Sequence, residues 1–98
     1  MGRFSEPALL ILISLAAGPK HGYAMLDDIE SMAGERLGPG TLYGALSRLE
    51  QRGLIEALPA EERRQPFRIT AAGVQVLQAS LDSLQNLAAF GRQRLAQT

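Results

Sequence analysis

The sequence predicts a mainly α domain that carries a small β-hairpin and ends in a long helix. Three observations carry that prediction. Helical segments punctuated by glycine and proline fill residues 6–53, a strand, polar loop and strand follow over residues 54–70, and an apolar repeat at alternating three- and four-residue steps begins at residue 71. The length of 98 residues leaves room for one compact unit. A domain this small buries little of its surface, so association with a second copy would add stability.

The first helix is framed at residues 6–17: Ser5 is the expected N-cap, Glu6 and Pro7 suit a first turn, and Gly18-Pro19 is a stop. Its residues are apolar nearly all round, which requires enclosure on several sides. Arg3 followed by this run superficially resembles a secretory signal. Glu6 and Pro7 are wrong for one, and the run is too short to span a bilayer, so a buried helix without a membrane role is expected. Gly2 raises myristoylation, but Glu6 occupies the position where that motif needs Ser or Thr. The second helix fits residues 21–32, with Leu26, Ile29 and Ala33 at helical spacing, Asp27, Asp28 and Glu30 facing solvent, and Gly34 as its end.

Gly38-Pro39 opens the third helix, with proline in the first turn where a missing N–H costs nothing, and Gly53 closes it. Leu42, Leu46 and Leu49 line its inward face. Residues 54–58 read as a strand, residues 67–70 as its partner and residues 59–65 as the polar loop of a wing; Pro66 belongs at a strand start or an exposed edge. Thr70 can cap the final helix, in which Val74, Leu77, Leu81, Leu84 and Ala88 form a short heptad seam. A rod of about 25 residues and 38 Å outruns the small core before it and calls for a partner helix. The elements together make a winged helix-turn-helix plus a long C-terminal helix: residues 1–70 as a DNA-binding unit and residues 71–98 as a dimerisation helix, in one compact body.

Composition removes several function classes. Without cysteine there are no disulfides, thiolate metal sites or thiol nucleophiles, which fits a reducing cytoplasm. One histidine cannot build a zinc site, and no nucleophile-base pair or glycine-rich phosphate loop follows a strand, so no enzyme and no cofactor are expected. The formal net charge is zero, with ten basic residues against ten acids. A nucleic-acid reading therefore depends on where the charges sit. Lys20, Arg48, Arg52, Arg63, Arg64 and Arg68 are expected to gather on one side, with Asp27, Asp28, Glu30 and Asp82 elsewhere.

The outward face of the third helix bears Gly40, Thr41, Gly44, Ser47, Arg48 and Gln51, none of them bulky and apolar. Two glycines one turn apart permit close approach to a groove wall although each lowers helix propensity by about 1 kcal/mol. Such a face is either solvated or suited to the DNA major groove, and the wing that follows it favours the groove. Arg63 and Arg64, beside Glu61 and Glu62, are either part of a solvated mixed-charge loop or phosphate donors at the wing. Lys20 and His21 lie where the next helix begins, at its positive dipole end, with His21 alternatively a cap. For Tyr23 and Tyr43 the sequence leaves two roles open, phosphate contact through the hydroxyl or core packing through the ring.

The motifs Lys20-His21-Gly22-Tyr23, Gly40-Thr41-Leu42-Tyr43-Gly44-Ala45-Leu46, Arg48-Leu49-Glu50 and Gly53-Leu54-Ile55-Glu56, continued by Phe67-Arg68-Ile69-Thr70 and Gly73, resemble the PadR family of bacterial transcriptional regulators. Order and spacing match over about residues 5–75, and the final helix matches in character. The resemblance implies a homodimeric regulator of double-stranded DNA, usually a repressor on a dyad-symmetric operator, and in some relatives release by a small aromatic effector. Its DNA contacts would be Lys20, His21, Tyr23, Thr41, Tyr43, Gly44, Ser47, Arg48, Arg63 and Arg64. Two features differ from the family pattern: Gly38 stands where a serine often precedes the proline, and the wing is short, with Pro66 and few basic or tyrosine residues.

Overall fold

The computed structural model describes residues 6–98, and the expectations for Gly2, Arg3 and Ser5 lie outside the described residues. The order is α1 (Pro7–Ala16), β1 (Lys20–His21), α2 (Gly22–Ala33), α3 (Pro39–Gln51), β2 (Ile55–Ala57), β3 (Pro66–Ile69) and α4 (Ala71–Ala96). The three strands form an antiparallel sheet in the order β1-β3-β2. Where the sequence indicated a two-stranded hairpin, β1 adds a third strand, with Lys20 opposite Phe67 and His21 opposite Pro66. Pro66 opens the central strand, a position where its missing N–H interrupts little of the ladder.

Local chemistry accounts for the helix ends. Gly34 and Gly53 take φ of 77° and 74°, left-handed conformations that side chains resist. Past Gly53, the Leu54 N–H reaches back to the Leu49 carbonyl at 3.0 Å and satisfies the end of α3. The α2 helix starts one residue later than expected, because His21 is its extended N-cap and accepts the Ala24 N–H. Thr70 caps α4 as anticipated, accepting the Gly73 N–H at 3.1 Å and donating to the Gly53 carbonyl at 2.7 Å. Gly73 itself is buried against the Leu54 carbonyl and Ile69, where any Cβ would collide with backbone. The start of α4 is thereby seated on the sheet.

Helix α1 is the centre of the core, packed by α2, α3, α4 and β3. Ile11, Leu15, Met25, Ile29, Leu42, Leu46, Leu49 and Ile55 are fully buried around it. Ser14, also buried, keeps its hydroxyl satisfied by donating to Asp28 at 2.6 Å.

The seam expected on α4 divides. Leu77 is buried in the chain's own core and Leu84 is partly buried against it, while Val74, Leu81 and Ala88 are exposed. Leu77 is therefore a core residue of its own subunit, because the first half of α4 lies along α1. The second half projects from a body that measures 56 × 26 × 20 Å overall. Leu87, Phe90 and Leu95 are exposed there at 69%, 58% and 72%, three apolar side chains that the heptad series did not single out.

Candidate nucleic-acid interface

The exposed face of α3 is built by the amphipathic spacing of its sequence: Leu42, Ala45, Leu46 and Leu49 are buried, which turns Thr41, Tyr43, Ser47 and Arg48 outward. Pro39 presets the first turn, and Gly38 provides no side-chain cap. Gly40 is open to solvent. Gly44 is half-buried because Arg48 lies back over it, with a guanidinium nitrogen 3.5 Å from where a Cβ would stand. The glycine thus lets the arginine lie close along the helix.

The wing ends in a tight two-residue turn. Glu61 and Arg64 exchange backbone hydrogen bonds at 2.9 and 2.7 Å, and between them Glu62 and Arg63 adopt φ of 46° and 71°. Such a turn ordinarily recruits Asn-Gly, and holding ordinary side chains there costs roughly 1–2 kcal/mol per residue. Gln65 braces the turn by donating to the Leu58 carbonyl at 2.5 Å and to the Pro66 carbonyl at 3.1 Å. Arg63 and Arg64 are exposed at its tip.

Wing, α2 and α3 meet at a pocket of about 250 Å³ lined by His21, Gly22, Tyr23, Tyr43, Arg63 and Arg64. Both tyrosines are exposed, Tyr23 at 70% and Tyr43 at 53%, which decides the choice left open by the sequence against core packing. Gly22 is the reason Tyr43 can lie where it does: a Cβ there would overlap the tyrosine hydroxyl and ring. Gly22 is legible in the sequence as part of a motif, but the room its missing side chain makes for a residue 21 positions later appears only in the fold. His21 bridges to the wing, its Nε2 3.3 Å from a guanidinium nitrogen of Arg64.

Two residues of the expected basic cluster are otherwise engaged. The Lys20 ammonium turns inward and donates to the Ser14 carbonyl at 2.6 Å and the Gly18 carbonyl at 3.4 Å, with Asp28 3.9 Å away. It neutralises the carbonyl end of α1, as a cation at a helix C-terminus does, and is 20% exposed. Asp28, expected far from this cluster, is its neighbour. Arg68 is paired across the wing with Glu56, donating through Nε at 2.6 Å. Arg52 lies on another side, at a groove between α1 and α4. On α2, Asp27 and Glu30 hold Arg36 and raise its pKa above the ordinary guanidinium range, chiefly through the hydrogen bonds that Arg36 donates to Asp27 and then to Glu30. Among the described residues, Arg48, Arg63 and Arg64 are exposed arginines of α3 and the wing that no carboxylate pairs.

The arrangement offers hydrogen-bond donors. No group of three or more metal-ligating side chains occurs among the described residues, and no described helix is long and apolar enough to cross a membrane. What the surface presents is a polar helix face, a cationic loop beside it, and a concave junction rich in hydrogen-bond donors.

The model of the transcriptional regulator PadR-like family matches residues 11–79. An uncharacterized 37.1 kDa protein in transposon TN4556 of Streptomyces fradiae is 45% identical over 85 residues, which cover 87% of this chain and 25% of that protein. The chain thus spans a quarter of the length of that curated relative. Among solved structures, a transcriptional regulator from Clostridium thermocellum is 27% identical with a TM-score of 0.80, over 89% of this chain and 87% of that one. A PadR family transcription regulator from hypervirulent Clostridium difficile shares the fold with a TM-score of 0.83 at 24% identity, over 93% and 99% of the two chains.

Proposed function

The chain belongs to the PadR-like family of transcriptional regulators, and on that premise we propose that it is a homodimeric repressor that binds a dyad-symmetric operator in double-stranded DNA. Residues 1–70 form the DNA-binding unit and residues 71–98 the dimerisation helix. The observation that carries the reading is the continuous surface made by the polar face of α3 and the unpaired arginines of the wing. Thr41, Gly44, Ser47 and Arg48 enter the major groove, where small, polar and guanidinium groups can meet base edges. His21, Tyr23, Tyr43, Arg63 and Arg64 hold phosphates and fix the register. Lys20 supports this surface from behind, as the link between α1 and β1.

A second copy covers the projecting half of α4. Leu87, Phe90 and Leu95 pack into the partner's groove between α1 and α4, a concavity of about 400 Å³ whose apolar walls include Leu9, Leu12, Val76 and Leu84. The dimer sets two recognition helices a fixed distance apart, which is what a dyad-symmetric site requires.

Replacement of Arg48 and Arg63 together by alanine tests the assignment of the surface. Each lost phosphate contact lowers the dependence of log affinity on log salt by roughly 0.9. The expected outcome is weaker duplex binding with a shallower salt slope. Unchanged affinity and slope would show that these arginines do not face DNA.

A further inference from the structure

At the exposed contact between α2 and the wing, no protonation state of His21 lets its ring accept from both neighbours at once, so a donor is left there for solvent or for a ligand. His21 Nδ1 accepts the Ala24 N–H at 3.4 Å as the cap of α2. A neutral imidazole has one accepting and one donating nitrogen, so an accepting Nδ1 places the proton on Nε2. Nε2 lies 3.3 Å from the Arg64 guanidinium, which can only donate. Two donors therefore face each other. The other tautomer satisfies Arg64 but turns an Nδ1 proton against the Ala24 N–H. Double protonation sets donors against donors at both ends.

An acceptor lodged beside both groups removes the conflict and leaves the cap intact. We propose that His21 Nε2–H and the Arg64 guanidinium form a two-donor clamp for one phosphate oxygen of the DNA backbone, with His21 held by its own cap as the neutral Nε2–H tautomer. The site is the junction pocket of about 250 Å³, large enough for a phosphate group and lined also by Tyr23 and Tyr43, whose hydroxyls are able to donate. Charged groups that border His21 from the neighbouring elements are Lys20 on β1 and Glu61, Glu62 and Arg63 on the wing. Lys20 is occupied by main-chain carbonyls, and Glu61, which meets Arg64 through the backbone, and Glu62 place no carboxylate in hydrogen-bonding contact with the His21 ring or the Arg64 guanidinium. The proposal rests on the DNA-binding reading above and adds which atoms hold the phosphate, and in which charge state.

The distinction between a neutral and a charged histidine is measurable, because only cationic contacts release counterions. A mixed-sequence duplex of about 30 base pairs at low salt serves as the probe, since backbone contacts are largely independent of sequence. His21→Asn keeps a strong N-cap residue and removes the Nε2 donor. The expected result is an unchanged melting temperature, affinity reduced on the order of tenfold, the worth of a hydrogen bond to a charged group, and an unaltered salt slope. Arg64→Gln should reduce both the affinity and the slope, the latter by about 0.9. Nitrogen NMR of the His21 ring should show the Nε2–H form in the free protein and a shift of that proton on adding duplex.

Equal binding by His21→Asn, a fall of its salt slope by a full unit charge, or an Nδ1–H or doubly protonated ring in the complex would overturn the clamp while leaving DNA binding standing. Failure of the unaltered protein to bind duplex would overturn the DNA-binding reading, and the clamp with it. A saturable shift of the ring with inorganic phosphate, and none with duplex, would assign the pocket to a small phosphorylated ligand and overturn DNA as the source of the oxygen.

Discussion

A Cβ on Gly22 would occupy the space now taken by the end of the Tyr43 side chain, so this glycine determines the reach of a residue on another helix. The obstructed group is the far end of an exposed side chain, which can swing away at little cost to the fold. Gly22→Ala is therefore expected to leave thermal stability the same or slightly raised, since alanine favours helix by up to about 1 kcal/mol over glycine. Duplex affinity should drop several-fold as Tyr43 leaves the junction pocket. The wing tip presents the opposite balance. Glu62 and Arg63 hold positive φ without being glycine, and Arg63→Gly should stabilise the protein by roughly 1 kcal/mol in urea denaturation while weakening duplex binding and its salt slope. A loss of stability would mean that the Arg63 side chain supports the fold.

At the scale of elements, what was legible in the sequence is what depends on neighbours along the chain. Gly34, Gly53 and Thr70 act as the stops and cap their chemistry indicates, and the leucine spacing of α3 correctly divides its buried from its exposed face. Strand β1 was not legible because two residues cannot display alternation, and it exists only by pairing with β3, far away in sequence. The same limit explains Lys20: its position before α2 was visible, but the carbonyls that bind it belong to the last turn of α1 and to the turn that follows it. In α4 the apolar repeat was visible, yet a repeat cannot tell a leucine that packs on its own core from one left for a partner. Leu77 and Leu87 fall on the two sides of that division. Their substitutions should separate accordingly. Leu77→Ala is expected to cost about 2–5 kcal/mol of folding stability, as cavity-forming substitutions do. Leu87→Asp combined with Phe90→Asp should leave the helix content by circular dichroism intact and convert dimer to monomer in sedimentation. A double variant that remains dimeric would place the interface elsewhere.

For the molecule as a whole, zero net charge is the feature least expected of a DNA-binding protein, and the distribution of ion pairs accounts for it. Arg36 and Arg68 are paired with carboxylates and Lys20 with carbonyls, whereas Arg48, Arg63 and Arg64 remain unpaired on α3 and the wing. On the proposed reading so few cations give one copy a weak hold on the backbone, and affinity would depend on two copies engaging one duplex together with direct base contacts. The recognition helix, the wing and the exposed end of α4 are parts of one function on this account. Selection of binding sites from random duplex DNA, followed by the stoichiometry of the complex on the recovered sequence, tests that account most directly. The predicted result is an inverted repeat with half-sites about one helical turn apart, some 34 Å, occupied by two chains. Recovery of no enriched sequence, or of a single half-site filled by one chain, would contradict it.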